Sequence, residues 1–138
     1  SGMTAQRQRV NTISENIANA ETTRTPQGGP YRRREVILAS VANDRTFEEE
    51  LLSQDRSVST STEVKVVGIV QDERPPILRF EPGHPDANEE GYVEMPNVNI
   101  MEEMVNLMSA NRSYEANTAA FNATKNMVQS ALDLGRNA

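Results

Sequence analysis

The C-terminal part of the chain carries the feature that most restricts its fold, a long helical repeat. Mostly apolar positions recur at alternating steps of four and three over residues 100–132, which places them along one helix face. Asn99 fits an N-cap with Glu102 three residues later, and Gly135 is a stop signal. The pattern predicts a helix over residues 100–134, about 52 Å long. A compact globule of this chain length is only about 35–40 Å across, so the helix should protrude or be covered by other chains.

The polar side of this helix is almost free of charge. Only Arg112, Glu115 and Lys125 are charged within residues 104–132. The remaining polar side chains are neutral amides and hydroxyls, which can enter an interface without the cost of burying an unpaired charge. This composition favours covering by other chains.

A second helix is predicted at the N-terminus. Met3, Val10, Ile13, Ile17 and Ala20 follow steps of seven, three, four and three, which line up on one helix face. The proline and glycines of residues 26–30 end this helix. The two helices are expected to pair, but the first is the shorter by about four turns, so part of the second stripe should stay uncovered.

The middle of the chain contains runs typical of strands, separated by proline and glycine turns. We predict a small antiparallel β region, formed by a single sheet, and an α+β fold whose terminal helices pair as a coiled-coil-like layer. The polar stretch at 40–63 is predicted to be a mobile loop with one possible helical turn at 47–52. The predicted strands are 31–39, 64–70, 77–80 and 91–95, and the predicted units are 1–24 (N-terminal helix), 25–98 (β region) and 99–138 (C-terminal helix).

Composition excludes several classes of function. The net charge of −6 argues against nucleic-acid binding, which needs a clustered basic surface. The absence of cysteine rules out disulfides and thiolate metal sites. No apolar run is long enough to insert into a membrane, and no secretory leader is recognisable. We therefore predict that the protein does not bind nucleic acid and does not insert directly into a membrane.

No group of residues resembles a catalytic or cofactor site. His84, with Asp86, Glu89 and Glu90 nearby, is the only cluster that resembles a metal site, and a single histidine in a Pro-Gly turn is usually a solvated loop residue. A metal hydrolase built on His84 is the weakest alternative. The prediction is no enzyme, no cofactor and no metal.

Asparagine is frequent inside both predicted helices, although it is a weak helix former. Asn16 and Asn19 lie in the first helix, and Asn111 and Asn117 lie in the second. A buried amide at a helix interface fixes register and partner, whereas surface exposure is the plain alternative for each. We interpret these amides as contacts of a helix layer.

Two stretches resemble a known family. "NTISENIANAETT" at 11–23 and "MPNVNIMEEMVNLMSANRSYEAN" at 95–117 resemble the terminal signatures of bacterial flagellar axial proteins. "GGPYRRREV", "PGHPDANEEGYVEMPNVN" and "LDLGR" are similar to the proximal rod proteins of that family. The resemblance implies a structural subunit of the basal-body rod, the driveshaft across the periplasm, which is exported uncleaved by the flagellar type III apparatus and assembles with itself and other rod subunits.

Family members carry further residues before the position that is Ser1 here, so the resemblance also implies a truncated N-terminus. A soluble helical adaptor that docks its long C-terminal helix on one partner is the alternative function, and it predicts a one-to-one complex instead of a polymer. Stripe positions and signature amides together form the predicted assembly residues: Val10, Ile13, Asn16, Ile17, Asn19, Met104, Leu107, Asn111, Tyr114, Asn117, Phe121, Val128 and Leu132.

Overall fold

Two helices and four strands make up the structure, a computed structural model that describes residues 2–42 and 62–138. The predicted α+β class is confirmed. Most of the stretch predicted as a mobile loop, including its possible helical turn, lies outside the described residues. In chain order the elements are α1 (Gly2–Ala18), β1 (Arg34–Ala42), β2 (Thr62–Gln71), β3 (Ile77–Phe80), β4 (Tyr92–Met95) and α2 (Ile100–Arg136).

Helix α2 begins where its cap predicts and runs slightly further than expected. The side chain of Asn99 accepts hydrogen bonds from the backbone N–H groups of Met101 and Glu102, at 3.1 and 3.3 Å. Gly135 does not stop the helix, because it keeps a negative φ and the helix continues to Arg136. With 37 residues, α2 is about 55 Å long.

Helix α1 ends at Ala18, and side-chain hydrogen bonds stabilise its last turn and the turn that follows. The Asn19 amide donates to the carbonyl of Glu15 at 2.9 Å, and the Thr22 hydroxyl donates to the Asn19 side chain at 3.1 Å. Gly28 and Gly29 then adopt positive φ angles of 85° and 73°, which glycine permits without strain. This turn leads the chain back toward the start of β1.

The β region consists of two separate two-stranded antiparallel sheets, β1–β2 and β3–β4, instead of the single sheet we predicted. The loop boundaries predicted at 40 and 63 are also wrong, since Val41 pairs with Glu63 and Ser40 with Val64. Strand pairing carries β1 and β2 into polar residues that the composition assigned to a loop. A bulge between Ile37 and Leu38 shifts the register of β1–β2.

The core is small and partly polar. Helices α1 and α2 pack antiparallel, with Met3 near Thr118 at one end and Asn16 near Glu103 at the other. Among the described residues, no helix combines the length and the apolar character needed to cross a membrane. Among the described residues, the buried side chains include Ala5, Ile13, Ala20, Val93, Met95, Val98 and Ala110, together with the polar Thr12, Asn16 and Glu103.

Candidate functional site

Asn16 is the centre of a hydrogen-bonded cluster that joins α1, α2 and β1. Its side-chain amide donates to the backbone carbonyl of Arg34 at 2.8 Å and to a carboxylate oxygen of Glu103 at 3.2 Å. Its carbonyl oxygen accepts from the Arg34 N–H and from the Tyr31 hydroxyl, both at 2.9 Å. We call Asn16, Tyr31, Arg33, Arg34 and Glu103 the polar junction.

The junction explains why α1 carries an asparagine at this position. The Asn16 side chain is 0% exposed, and the amide provides two donors and an acceptor oxygen with two lone pairs. All four are used. A residue of similar size without this combination would leave these partners unpaired, and because most of the hydrogen bonds are only partly buried, the total cost is about 1–3 kcal/mol.

A charge pair between the buried Glu103 and the partly buried Arg33 completes the junction. The Arg33 guanidinium donates from Nε to a carboxylate oxygen of Glu103 at 2.5 Å, and the Glu103 side chain is 1% exposed. Burial lowers the pKa of Arg33, but the hydrogen bond and the charge of Glu103 outweigh burial, so that the pKa stands above its ordinary value. Burial also raises the pKa of the Tyr31 hydroxyl. Because a buried charge without its partner is strongly unfavourable, this pair fixes the position of α2 relative to β1.

The face of α2 that packs on α1 is offset from the predicted stripe. Ala110 is 0% exposed and Glu103 is buried, whereas the stripe residues Met104 and Tyr114 remain 49% and 40% exposed. The prediction considered only apolar residues, whereas the residues of α2 that are buried here are the small Ala110 and Glu103, an acid paired with Arg33. Sequence reasoning missed both Glu103 and Ala110.

The distal part of α2 has no cover within the described structure. Every residue of 119–138 is exposed, and α1 is the only helix or strand with which α2 makes a substantial contact. We call Phe121, Val128 and Leu132, which are 55–60% exposed, the distal stripe. Exposed apolar side chains at regular spacing on one helix face are typical of an interaction surface.

A second apolar surface lies on the first turns of α2. Met101, Met104, Val105 and Met108 are all exposed, and their spacing of i, i+3, i+4 and i+7 puts them on one face. Only Met104 was among the predicted residues. The run "MEEMVNLM" carried the signal, but the longer stripe dominated the interpretation.

Each predicted assembly residue has a defined place, although its role in assembly stays a prediction. Those on α1 and in the turn after it are largely covered inside the subunit, and most of those on α2 are not. Ile13 and Asn16 are buried; Val10, Ile17, Asn19 and Leu107 are half-buried; Met104, Asn111, Tyr114, Asn117, Phe121, Val128 and Leu132 are exposed.

Near His84, hydrogen bonds join two loops, the one that contains Asp86 and the one that follows α1. The Asp86 carboxylate accepts hydrogen bonds from the Thr23 hydroxyl at 2.7 Å and from Arg24. The Thr23 hydrogen bond, and then Arg24, keep the pKa of Asp86 below its usual range against the effect of burial. His84 accepts the Asp86 N–H through Nδ1 at 3.0 Å. Within residues 2–42 and 62–138, no three histidine or acidic side chains are placed to hold a metal.

Both ends of the chain match family models of flagellar rod proteins. Residues 1–24 match the model described as "Flagella basal body rod protein". Residues 89–134 match "Flagellar basal body rod FlgEFG protein C-terminal". These segments contain α1 and most of α2, so both terminal helices are those of a flagellar axial protein.

Comparison with curated proteins narrows this class. The chain is 44% identical over 135 residues to the flagellar basal-body rod protein FlgC of Borreliella burgdorferi, covering 95% of this chain and 89% of the relative. It is 45% identical over 141 residues to FlgC of Bacillus subtilis, covering 99% and 93%. It is 39% identical over 136 residues to FlgC of Escherichia coli O157:H7, covering 99% and 92%. The chain belongs to the FlgC family of flagellar basal-body rod proteins, the structural subunits of the rod, as the resemblance predicted.

Proposed function

We propose that this chain is a non-catalytic subunit that joins the proximal rod through the distal stripe of α2. The exposure of every residue over 119–138 is the observation that carries the proposal. Full burial of one large apolar side chain contributes about 1.5–3 kcal/mol, so covering Phe121, Val128 and Leu132 supplies a substantial part of an assembly contact. The neighbours are other rod subunits and further copies of this chain.

The predicted residues of α1 contribute indirectly. Ile13 and Asn16 are buried inside the subunit, so a neighbouring chain has no access to them. They hold α1 on α2 and thereby present the outer face of α2 in one orientation. Asn111, Tyr114 and Asn117 are exposed on α2 and extend the assembly surface from the distal stripe toward the N-terminal half of the helix.

The chain acts as one structural unit with three parts. Residues 1–24 and 99–138 form the helical layer, and residues 25–98 form the β region, which the polar junction ties to both helices. The subunit reaches the periplasm through the flagellar type III export apparatus, and no nucleic acid takes part.

The test replaces the distal stripe in a strain that lacks its own copy of the gene. Phe121→Gln, Val128→Gln and Leu132→Gln are combined, because glutamine keeps helix propensity while it removes apolar surface. Asn122→Gln, Asn126→Gln and Gln129→Ala form a matched control on other faces of the same segment. Electron microscopy of basal bodies and swimming in soft agar are the readouts, and immunoblotting of the periplasmic fraction reports export.

The stripe variant should be exported but build no complete rod, and the control should swim normally. Normal rods with the stripe variant would contradict the proposal. A stable one-to-one complex with a single partner, in cells that retain intact rods without this chain, would instead favour the helical adaptor.

A further inference from the structure

A cleft lies beside the outer edge of β1, between that strand, α1 and the start of α2. It measures about 390 Å³, and half of its lining residues are charged. The lining includes Arg9, Thr12 and Ile13 of α1, Val36 and Leu38 of β1 and Glu102 of α2. Ligand sites typically span about 300–1,000 Å³. The cleft therefore offers both apolar side chains and the edge of a strand.

The backbone of β1 presents free hydrogen-bonding groups to this cleft. The Arg33 carbonyl accepts the Asp72 N–H at 2.7 Å, so the polar groups of Arg33 face the neighbouring chain segment. Those of Arg34 point the opposite way, to Asn16. Because direction alternates along an antiparallel strand, Glu35 faces β2 and Val36 points outward. Within residues 2–42 and 62–138, no side chain or loop forms a hydrogen bond to the Val36 backbone.

Asn16 closes this edge at its first position only. Its amide makes the same pair of hydrogen bonds to Arg34 that a neighbouring strand would make. At Val36, the next position whose backbone groups point outward, no such side chain pairs with the strand among the described residues. An unpaired strand edge is a ready template for another extended chain.

Charges mark the two ends of the cleft. Glu102 adjoins Glu103, which contacts Asn16, while Arg9 lies two turns of α1 away, about 10 Å along the helix. Arg33 and Arg34 are already engaged with Glu103 and Glu15. Among the described residues, neither Arg9 nor Glu102 lies within ion-pair distance of an opposite charge, and Glu102 acts on Arg74 only from further away, as a minor cause of the raised pKa of Arg74. The cleft is thus complementary to a segment with an acidic side chain at one end and a basic one at the other.

We propose that this cleft binds an extended segment of another protein, which pairs as an added strand with the edge of β1 at Val36 and places an acidic side chain at Arg9 and a basic one at Glu102. Edge pairing of this kind is a known mode of peptide recognition. The proposal goes beyond the packing of α2 and does not depend on rod assembly.

The probe is a capped nine-residue synthetic peptide of alternating valine and threonine, in which one glutamate and one lysine stand four residues apart. That spacing spans about 13 Å of strand, enough for the two side chains to reach both ends of the cleft. Fluorescence anisotropy of the labelled peptide measures its affinity. A peptide with glutamine at both charged positions tests the charges, and one with N-methylated alternate amides tests the backbone pairing.

The matched variants are Val36→Pro and Ile69→Pro. These two residues oppose each other in the β1–β2 register, and they form a pair without hydrogen bonds to each other. Each therefore directs its backbone N–H away from the partner strand, Val36 at the outer edge of β1 and Ile69 at the outer edge of β2. Proline at an outward position spares the ladder. Val36→Pro should weaken peptide binding at least about tenfold, whereas Ile69→Pro should leave it unchanged. Arg9→Gln should weaken binding, and Arg7→Gln at an exposed position outside the cleft should not.

Circular dichroism checks that each variant folds, and if Val36→Pro does not, the N-methylated peptide against the unaltered chain decides. No binding at about 1 mM peptide, equal loss in both proline variants, or undiminished binding of the N-methylated peptide would overturn the proposal. A dimer of this chain that Val36→Pro dissociates would identify a second copy as the occupant and would overturn it as well.

Discussion

The two halves of α2 share one repeat but have opposite surroundings. In the proximal half, residues 100–118, Glu103 and Ala110 are buried against α1 and the junction. In the distal half, residues 119–136, every side chain is exposed. The spacing of four and three continues through both. Helical spacing therefore predicts an apolar face along the whole helix, whereas the subunit covers α2 only in its proximal half, at Glu103 and Ala110, which lie beside that face.

The proximal half is held by more than apolar contact. A buried carboxylate, a guanidinium and an amide meet there, and such polar groups are favourable only in one arrangement. The distal half has no equivalent among the described residues. We infer that the subunit fixes one half of α2 rigidly and leaves the other half available for packing on its neighbours.

The largest expected effect comes from removing the buried acid. Glu103→Ala removes the nearest acid from Arg33, which keeps only Glu35 and Asp72 at 3.5 and 3.7 Å, and leaves the Asn16 amide with the Arg34 carbonyl as its one acceptor. Loss of one member of a buried pair costs about 3–5 kcal/mol, and the remaining partners place the expected loss near the lower end of that range. The free energy of unfolding, measured by urea denaturation of the purified chain, should fall by that amount. Glu102→Ala on the exposed neighbour is the control and should change it by less than about 0.5 kcal/mol. A small effect of Glu103→Ala would remove the distinction between the two halves.

A somewhat smaller loss is expected for Asn16→Ala. The Tyr31 hydroxyl and the Arg34 backbone groups then lose their partner, at a cost of about 1–3 kcal/mol. Urea denaturation again gives the value, with Asn11→Ala at an exposed position of the same helix as the control. Equal effects of the two substitutions would show that the junction does not support α1.

A smaller effect is expected from acid titration at the base of the β1–β2 sheet. Hydrogen bonds from the Arg74 guanidinium and from its backbone N–H lower the pKa of Asp72 to about 2, against an unfolded value of about 3.9. The folded state favours the charged form, so this contribution is present above about pH 4 and is lost as pH falls toward 2. The stability difference between the unaltered chain and Asp72→Asn should accordingly be constant at pH 5–7 and shrink toward pH 2.

Urea midpoints at several pH values measure that difference, and Glu73→Gln, an exposed neighbour, is the control. A difference that stays constant down to pH 2 would rule out Asp72 as its source.

The smallest effect on the free subunit is expected in the distal half. Phe121 is 59% exposed, so Phe121→Ala should change the melting temperature of the isolated chain little, with a free-energy change within about 0.5 kcal/mol. Ile13→Ala, at a buried position, should cost about 2–5 kcal/mol. Thermal unfolding followed by circular dichroism compares them. A large loss from Phe121→Ala would mean that the distal half is already covered within the free subunit.

Local signals predicted most elements. The cap at Asn99 located the start of α2, and strand β3 has the predicted bounds, because caps, turns and repeats involve residues close in sequence. The predictions failed where pairing between distant segments decides. Strand β1 begins at Arg34 instead of residue 31, since the backbone N–H of Tyr31 donates to the Thr22 carbonyl in the turn after α1 and not to another strand. Two sheets form in place of one, because turn chemistry does not state which strands pair.

The candidate site divides in the same way. The amino-acid sequence predicts that α2 is long, carries one continuous stripe and exceeds its partner helix, because periodicity and length are local properties. The fold was needed to show that Ala110 and Glu103 face α1, and that Asn16 forms its hydrogen bonds within its own subunit. Asn16 and Glu103 are 87 residues apart in the chain. Whether a polar side chain is buried and paired depends on which distant groups the fold brings to it, and no local pattern contains that information.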